Sequence, residues 1–367
     1  MTAAQRSRRF LLQTLREPQR AAALSPAGWS ALVAAARDAN LLGALAKRLE
    51  AADVQACAQA QLHLEGVRRM GERQHLSIRW EAHQLQLALG ELGIPVLLLK
   101  GGAYVMAYPD LGRGRLFGDI DILVPREALD DVESRLMLRG WVSAKSDPYD
   151  QRYYRQWMHE LPPMTHVHRG TVLDVHHNIL PQTARNSPSP AAIMARSQPL
   201  PGLDSFRIPC PEDLVVHCLT HLTYEGELHN GLRDLHDADQ MLRSFGQADG
   251  FWARLQDVAA GNDLAGPVAL GLALVSRLFG TPLPAGLVDA LEDPLGPARS
   301  WRRWLPTYEA ALLEPFAGAL SWRAAWARQR IYLRAHSLRM PAGLLIRHLA
   351  RKAWMRSRAE QAEGAAG

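Results

Sequence analysis

Between Ile94 and Asn178 the hydrophobic pattern leaves helical spacing, and this change constrains the fold more than any other feature of the chain. Ile94-Pro95-Val96-Leu97-Leu98-Leu99 is a short apolar run closed by Lys100-Gly101-Gly102. Such a run, bounded by glycine, reads as a buried strand. From Asp119 to Val124 carboxylates and aliphatics alternate, which reads as a strand with two unlike faces. Met164 to His168 and Thr171 to Asn178 read as two further strands, and Arg169-Gly170 between them has the glycine of a tight hairpin turn. On both sides the spacing is helical. The expected fold is therefore α+β, a small mixed β-sheet over roughly 94–180 flanked by N-terminal and C-terminal helical regions.

The punctuation divides the chain into an N-terminal helical region (1–92), an α+β core (93–200) and a C-terminal helical region (201–360). Ser25-Pro26 reads as a helix N-cap followed by a first-turn proline. Asp53 to Leu92 reads as one long helix ended by Gly93. A short helix from Ala103 to Tyr108 follows the first strand, and Pro125 to Arg139 forms another that Gly140 stops. Pro181 to Pro201, rich in Pro, Ser and Ala, reads as a loop. Beyond it, Leu214, Val215, Cys218 and Leu222 make one helical stripe and Leu232, Leu235, Ala238 and Leu242 another. The tail Gln361 to Gly367 reads as frayed.

Composition excludes several classes. No run approaches the ~20 apolar residues of a membrane-spanning helix, and Arg6, Arg8 and Arg9 break any secretory signal. A cytoplasmic protein without a membrane partner is expected. Three cysteines, Cys57, Cys210 and Cys218, cannot build a disulfide framework. The net charge of +5 invites a nucleic-acid partner, yet only four of the 42 basic residues are lysines, a composition bias rather than a binding stripe. The one basic concentration, Arg323 to Arg358, reads as a solvated face.

The chemistry lies in an ordered combination. Asp119 and Asp121 point to one face of their strand, about 7 Å apart at ~3.3 Å rise per residue. Two anions so placed repel, and a divalent cation of oxygen-ligand preference, Mg²⁺ or Mn²⁺, relieves them. Val172, Asp174 and His176 share a face of the later strand, so a neighbouring position makes Asp119, Asp121 and Asp174 a three-carboxylate metal site. Lys100, Gly101 and Gly102 stand where a strand meets a helix N-terminus, a place suited to phosphate. Arg115 precedes the acidic pair and is read as charge stabilisation on the transferring group. His176 is read as lining the nucleotide site, with a packing role as its alternative.

The stretch LLLKGGAYVMAYPD, with GRLFGDIDILVP and then VLDVHHNIL, resembles the bacterial nucleotidyltransferases of the NTP-transferase type, an outlying branch of the DNA polymerase beta-like nucleotidyltransferase superfamily. PEDLVVHCLTHL and GLRDLHDADQML look like that family's helical region, so the likeness covers about 94–245. It implies that Gly101 and Gly102 are the phosphate loop, that Asp119 and Asp121 are the paired metal ligands, and that Asp174 is the third carboxylate. The interval from Gly102 to Asp119 is longer than is usual in the superfamily, and glycine stands where serine is common. The implied reaction is Mg²⁺-dependent transfer of a nucleoside monophosphate from an NTP such as ATP to an acceptor, with release of pyrophosphate. The acceptor (small molecule, protein or RNA) and the oligomeric state are left open.

Two other classes remain. One is a nucleotide-binding module on the same scaffold without catalysis. The other is a His-Asp type metal phosphohydrolase built on His217, His221, His236 and Asp237. Tyr149, Tyr153, Tyr154 and Trp157 read as a core or lid cluster, and Arg233 with Asp234 as a surface ion pair.

Overall fold

Caps and apolar spacing together specify the N-terminal helices. The computed structural model describes residues 2–145, 147–296, 300–317, 320–341 and 343–345. The end of the basic stretch and the tail 361–367 lie outside the described residues. Helices α1 (Ala3–Arg16), α2 (Pro26–Asp38), α3 (Leu42–Ala51) and α4 (Ala58–Leu89) precede the first strand. Thr2 and Gln5 cap α1 reciprocally, and Ser25 caps α2 with Pro26 in its first turn. α4 begins at Ala58 rather than Asp53, because Asp53 adopts a left-handed backbone with φ 52°. It buries one face through Leu64, Val67, Ile78, Ala82 and Leu85. Gly93, at φ 65°, then turns the chain into the sheet.

The strands are β1 (Val96–Leu98), β2 (Ile120–Leu123), β3 (Trp141–Ser143), β4 (Met164–His166), β5 (Val172–His176), β6 (Gln198–Leu200) and β7 (Leu203–Ile208). They form one seven-stranded mixed sheet in the order β3-β4-β5-β2-β1-β7-β6. β2 is central, parallel to β5 and antiparallel to β1. The β4–β5 hairpin forms as expected, with Gly170 at φ 68° in its turn. It is anchored on α4 through buried Glu81, which accepts hydrogen bonds from Arg169 (2.7 Å) and Thr171 (2.7 Å).

The sheet extends beyond the expected 94–180. β7 pairs in parallel with β1, and β6 pairs with β7, so the sheet runs past residue 200. Pro181 to Pro201 is accordingly not all loop. Ser189 caps α9 (Pro190–Arg196), and Pro199 sits in β6, an edge strand where its missing N–H costs no ladder bond.

Short helices join the strands: α5 (Lys100–Ala107), α6 (Pro109–Gly112), α7 (Leu129–Leu138) and α8 (Pro148–Trp157). The last segment is helical: α10 (Pro211–Tyr224), α11 (Gly231–Phe245), α12 (Phe251–Gly261), α13 (Ala265–Phe279), α14 (Leu287–Glu292), α15 (Leu305–Leu312) and α16 (Trp322–Arg339). α10 is buried on almost every side, packed against α11, α12 and α13 and touching α5. Through that contact the helical region faces the sheet. Among the described residues no helix is long and apolar enough to cross a membrane.

Candidate active site

β2 and β5 run side by side with Asp121 opposite Asp174 and Leu123 opposite His176. Residues paired across adjacent strands share a face, so the two carboxylates meet without any loop rearrangement. Ile120 and Ile122 fill the opposite face and are buried. Ligand atoms of Asp121, Asp174 and His176 lie within 4.8 Å of one another. Asp119 stands one residue ahead of β2, more open to solvent, and belongs to neither three-residue set of this kind among the described residues. The structure thus joins Asp121 to Asp174 and places Asp119 at the mouth.

The two paired carboxylates have opposite electrostatics. Asp121 Oδ1 accepts from Lys100 Nζ at 2.7 Å and from His176 Nε2 at 3.0 Å. Burial opposes its charge, but Lys100 and His176 outweigh it and hold the carboxyl well below the usual range. Asp174 has no such partner, and its Oδ1 is buried without a hydrogen bond. Burial first, then Asp121 and Glu160, push its pKa up to about 7. An orphaned carboxylate oxygen beside a second carboxylate is an oxygen donor set that fits Mg²⁺ or Mn²⁺.

The glycine turn opens α5. Lys100, Gly101 and Gly102 are its first residues, so their N–H groups precede the first helical hydrogen bonds. Lys100 has φ 42°. The other described non-glycine residues with positive φ are Asn40, Asp53 and Asp263, types that tolerate this region, whereas lysine is strained there. The strain is held in place by the Nζ–Asp121 bond. A Cβ on Gly101 would lie 2.3 Å from the Phe117 ring and 2.5 Å from Arg115 Nη1, so this glycine makes room for those side chains. Gly102 is buried, and a Cβ there would meet Leu98 at an ordinary 3.4 Å.

Arg115 is nearly buried. Its Nε donates to Asp237 Oδ2 of α11 at 2.6 Å, and its guanidinium lies 4.8 Å from the Phe117 ring centroid and 5.6 Å from that of Tyr104. Gln74 of α4 clamps the same loop, exchanging 3.0 Å hydrogen bonds with both the N–H and the C=O of Phe117. The segment leading into Asp119 is therefore fixed from both sides. We expect Gly101→Ala to displace Phe117 and Arg115, lowering stability by about 1–3 kcal/mol in denaturant melts. An unchanged midpoint would show that the loop yields freely.

A cleft of about 200 Å³ opens here, with Lys100, Gly101 and Asp121 on the sheet side and His221, Arg233 and Asp234 on the helical side. Residues 25–280 match the family described as uncharacterised nucleotidyltransferase. The chain belongs to that family. The match begins well before the stretch 94–245 that carries the motifs and takes in helices α2 to α13. No curated protein and no solved structure matches the chain.

The family's helical region supplies cleft residues that spacing alone misjudges. Arg233 and Asp234 are not a surface pair: they bond each other at 2.9 Å with side chains 16% and 11% exposed, on the cleft wall. The His-Asp phosphohydrolase grouping does not assemble among the described residues, because Asp237 is bound to Arg115 and His236 packs on Phe279. Along α8, Tyr149 stacks on Tyr153, and Trp157 meets Tyr153 edge to face. His159 and Glu160 had no local signal as partners of His176. A backbone strap brings them there, with Leu161 N–H bonding Val175 C=O at 2.8 Å and His177 N–H bonding His159 C=O at 2.8 Å.

Proposed function

We propose that the protein is a Mg²⁺-dependent nucleotidyltransferase of the cytoplasm, moving a nucleoside monophosphate from an NTP to a hydroxyl-bearing acceptor and releasing pyrophosphate. The observation that carries this reading is the in-register pair Asp121 and Asp174, one oxygen of which is buried without a partner. Asp121 and Asp174 would hold the ion, with Asp119 at the mouth completing the set. The ion supplies neutralisation of the triphosphate and a lowered pKa for the attacking hydroxyl.

The chain's own groups do the rest. Lys100 and Gly101 line the cleft, and Lys100 with the first N–H groups of α5 would bind phosphate oxygens. Arg115, already balanced by Asp237, acts by fixing the loop that presents Asp119. His176 orients Asp121 through its Nε2 hydrogen bond. Arg233 offers positive charge from the opposite wall. Asp174 would bind the ion and help take the acceptor's proton.

A nucleotide-binding module without transfer is favoured by one observation, the neutralisation of Asp121 by Lys100 and His176. The two readings part on pyrophosphate. Incubation with each α-labelled NTP, Mg²⁺ and a cell extract is expected to give label transfer, lost in Asp119→Ala/Asp121→Ala. Nucleotide binding without pyrophosphate release would select the module, and transfer undiminished in the double variant would remove this site.

A further inference from the structure

On the far side of His176 from Asp121 lies a second constellation, whose His159 and Glu160 have no part in the proposed nucleotide transfer. Ligand atoms of His159, Glu160 and His176 all lie within 4.8 Å of one another. His176 Nε2 faces Asp121 Oδ1 at 3.0 Å, and the ring's Nδ1 lies on the opposite edge. That atom is buried in a residue only 3% exposed, makes no hydrogen bond, and faces Glu160 Oε2 at 3.3 Å. Buried Nδ1 of His159 also lacks a partner, and the two imidazole rings stand 5.2 Å apart between centroids. Two unpartnered imidazole nitrogens beside a carboxylate make a buried polar cluster that a cation would satisfy.

The spacing favours a metal. Two ligands each about 2.0–2.1 Å from a tetrahedral ion stand about 3.4 Å apart. The Nδ1–Oε2 separation of 3.3 Å matches that edge and exceeds the usual reach of a charge-assisted hydrogen bond. An imidazole that ligates through one nitrogen and donates from the other to a carboxylate is the usual outer support of such sites, and Asp121 is placed to give it. The backbone strap bonded to β5 on both sides of His159 and Glu160 fixes these positions in advance.

We propose that His159, Glu160 and His176 form a binding site for a borderline divalent transition ion, such as Zn²⁺, separate from the carboxylate site for Mg²⁺. Two imidazoles and one carboxylate suit such an ion and disfavour Mg²⁺, which prefers oxygen ligands. The ion would tie the 158–161 strap to β5 and, through His176, fix the orientation of Asp121.

The test uses the full chain, stripped with chelator and titrated with Co²⁺ as a spectroscopic probe in the absence of nucleotide. One equivalent is expected to give a visible d–d band, displaced by Zn²⁺ and resistant to a large excess of Mg²⁺. Glu160→Gln and His159→Asn should each weaken Co²⁺ binding about tenfold or more. The isosteric Glu160→Gln carries the result alone if His159→Asn fails to fold by circular dichroism. No band in the wild type, displacement by Mg²⁺, or an unchanged band in Glu160→Gln would overturn the site and reveal a plain Glu160–His176 ion pair. Label transfer from NTP is measured separately, so either reading can fail without the other.

Discussion

Asp121→Asn is expected to lower nucleotidyl transfer by about a thousandfold and to destabilise the fold at neutral pH. The substitution keeps shape and removes one charge. A metal in this chemistry supplies several kcal/mol of charge stabilisation, and at 1.36 kcal/mol per decade the loss of a ligand amounts to about three decades. The stability cost has a different origin. Asp121 is 4% exposed and neutralises the Lys100 ammonium at 2.7 Å, with His176 at 3.0 Å on the same oxygen. Asparagine would leave that ammonium without a counter-charge, at a cost of about 2–4 kcal/mol, and would release the strained backbone of Lys100. The sign follows from the depressed carboxyl pKa. The group's contribution is fully present above the ordinary carboxylate range and lost only as pH falls through the folded value, so the deficit should persist at pH 7 and shrink in strong acid. Initial rates of label transfer and guanidinium melts check both halves. Transfer within about tenfold of wild type would show that Asp121 is not a metal ligand.

Strand-borne carboxylates were legible because strand geometry is local. Alternation puts Asp119 and Asp121 on one face and Asp174 with His176 on another, and parallel pairing of β2 with β5 brings Asp121 against Asp174. Spacing could not tell that Asp119 precedes the paired segment and stays at the mouth, since strand ends depend on neighbours. β3 and β6 were not read as strands. β7 escaped because its burial, deepest at Leu203, Phe206 and Ile208, breaks strict alternation. Lys100 attracted notice as a rare lysine, but its left-handed backbone and its bond to Asp121 are tertiary facts. Arg115 was visible as a cation near the acids. Its partner Asp237 lies on α11, 122 positions away, so the brace between them could not be read from spacing. Glu160 is the extreme case, brought to His176 only by the bridge between the strap and β5.

Asp174→Asn should do the opposite of its neighbour, stabilising the metal-free protein at pH 8 while abolishing stabilisation by Mg²⁺. Asp174 lies directly across from Asp121, yet one of its oxygens is buried without a hydrogen bond. Its pKa is raised from 3.8 to about 7, by burial first and the Asp121 and Glu160 charges next. A carboxyl whose folded pKa exceeds its unfolded one binds more protons when folded, so stability falls as pH rises from about 4 to about 7 and is level above. Three pKa units correspond at most to about 4 kcal/mol, and local relaxation with partial solvent access brings the realised penalty to about 2 kcal/mol. Asparagine carries none of it. In EDTA the variant should therefore match wild type near pH 4 and exceed it by about 2 kcal/mol at pH 8. Magnesium reverses the order. Wild type gains about 2.7 kcal/mol at a hundred times its dissociation constant, a gain that a variant stripped of the ionisable ligand should lack. A four-way comparison of melts, with and without Mg²⁺ at the two pH values, reads this directly. An Asp174→Asn protein that melts below wild type at pH 8 in EDTA would mean that the orphaned oxygen is satisfied, and the case for a cation at this pair of strands would fall with it.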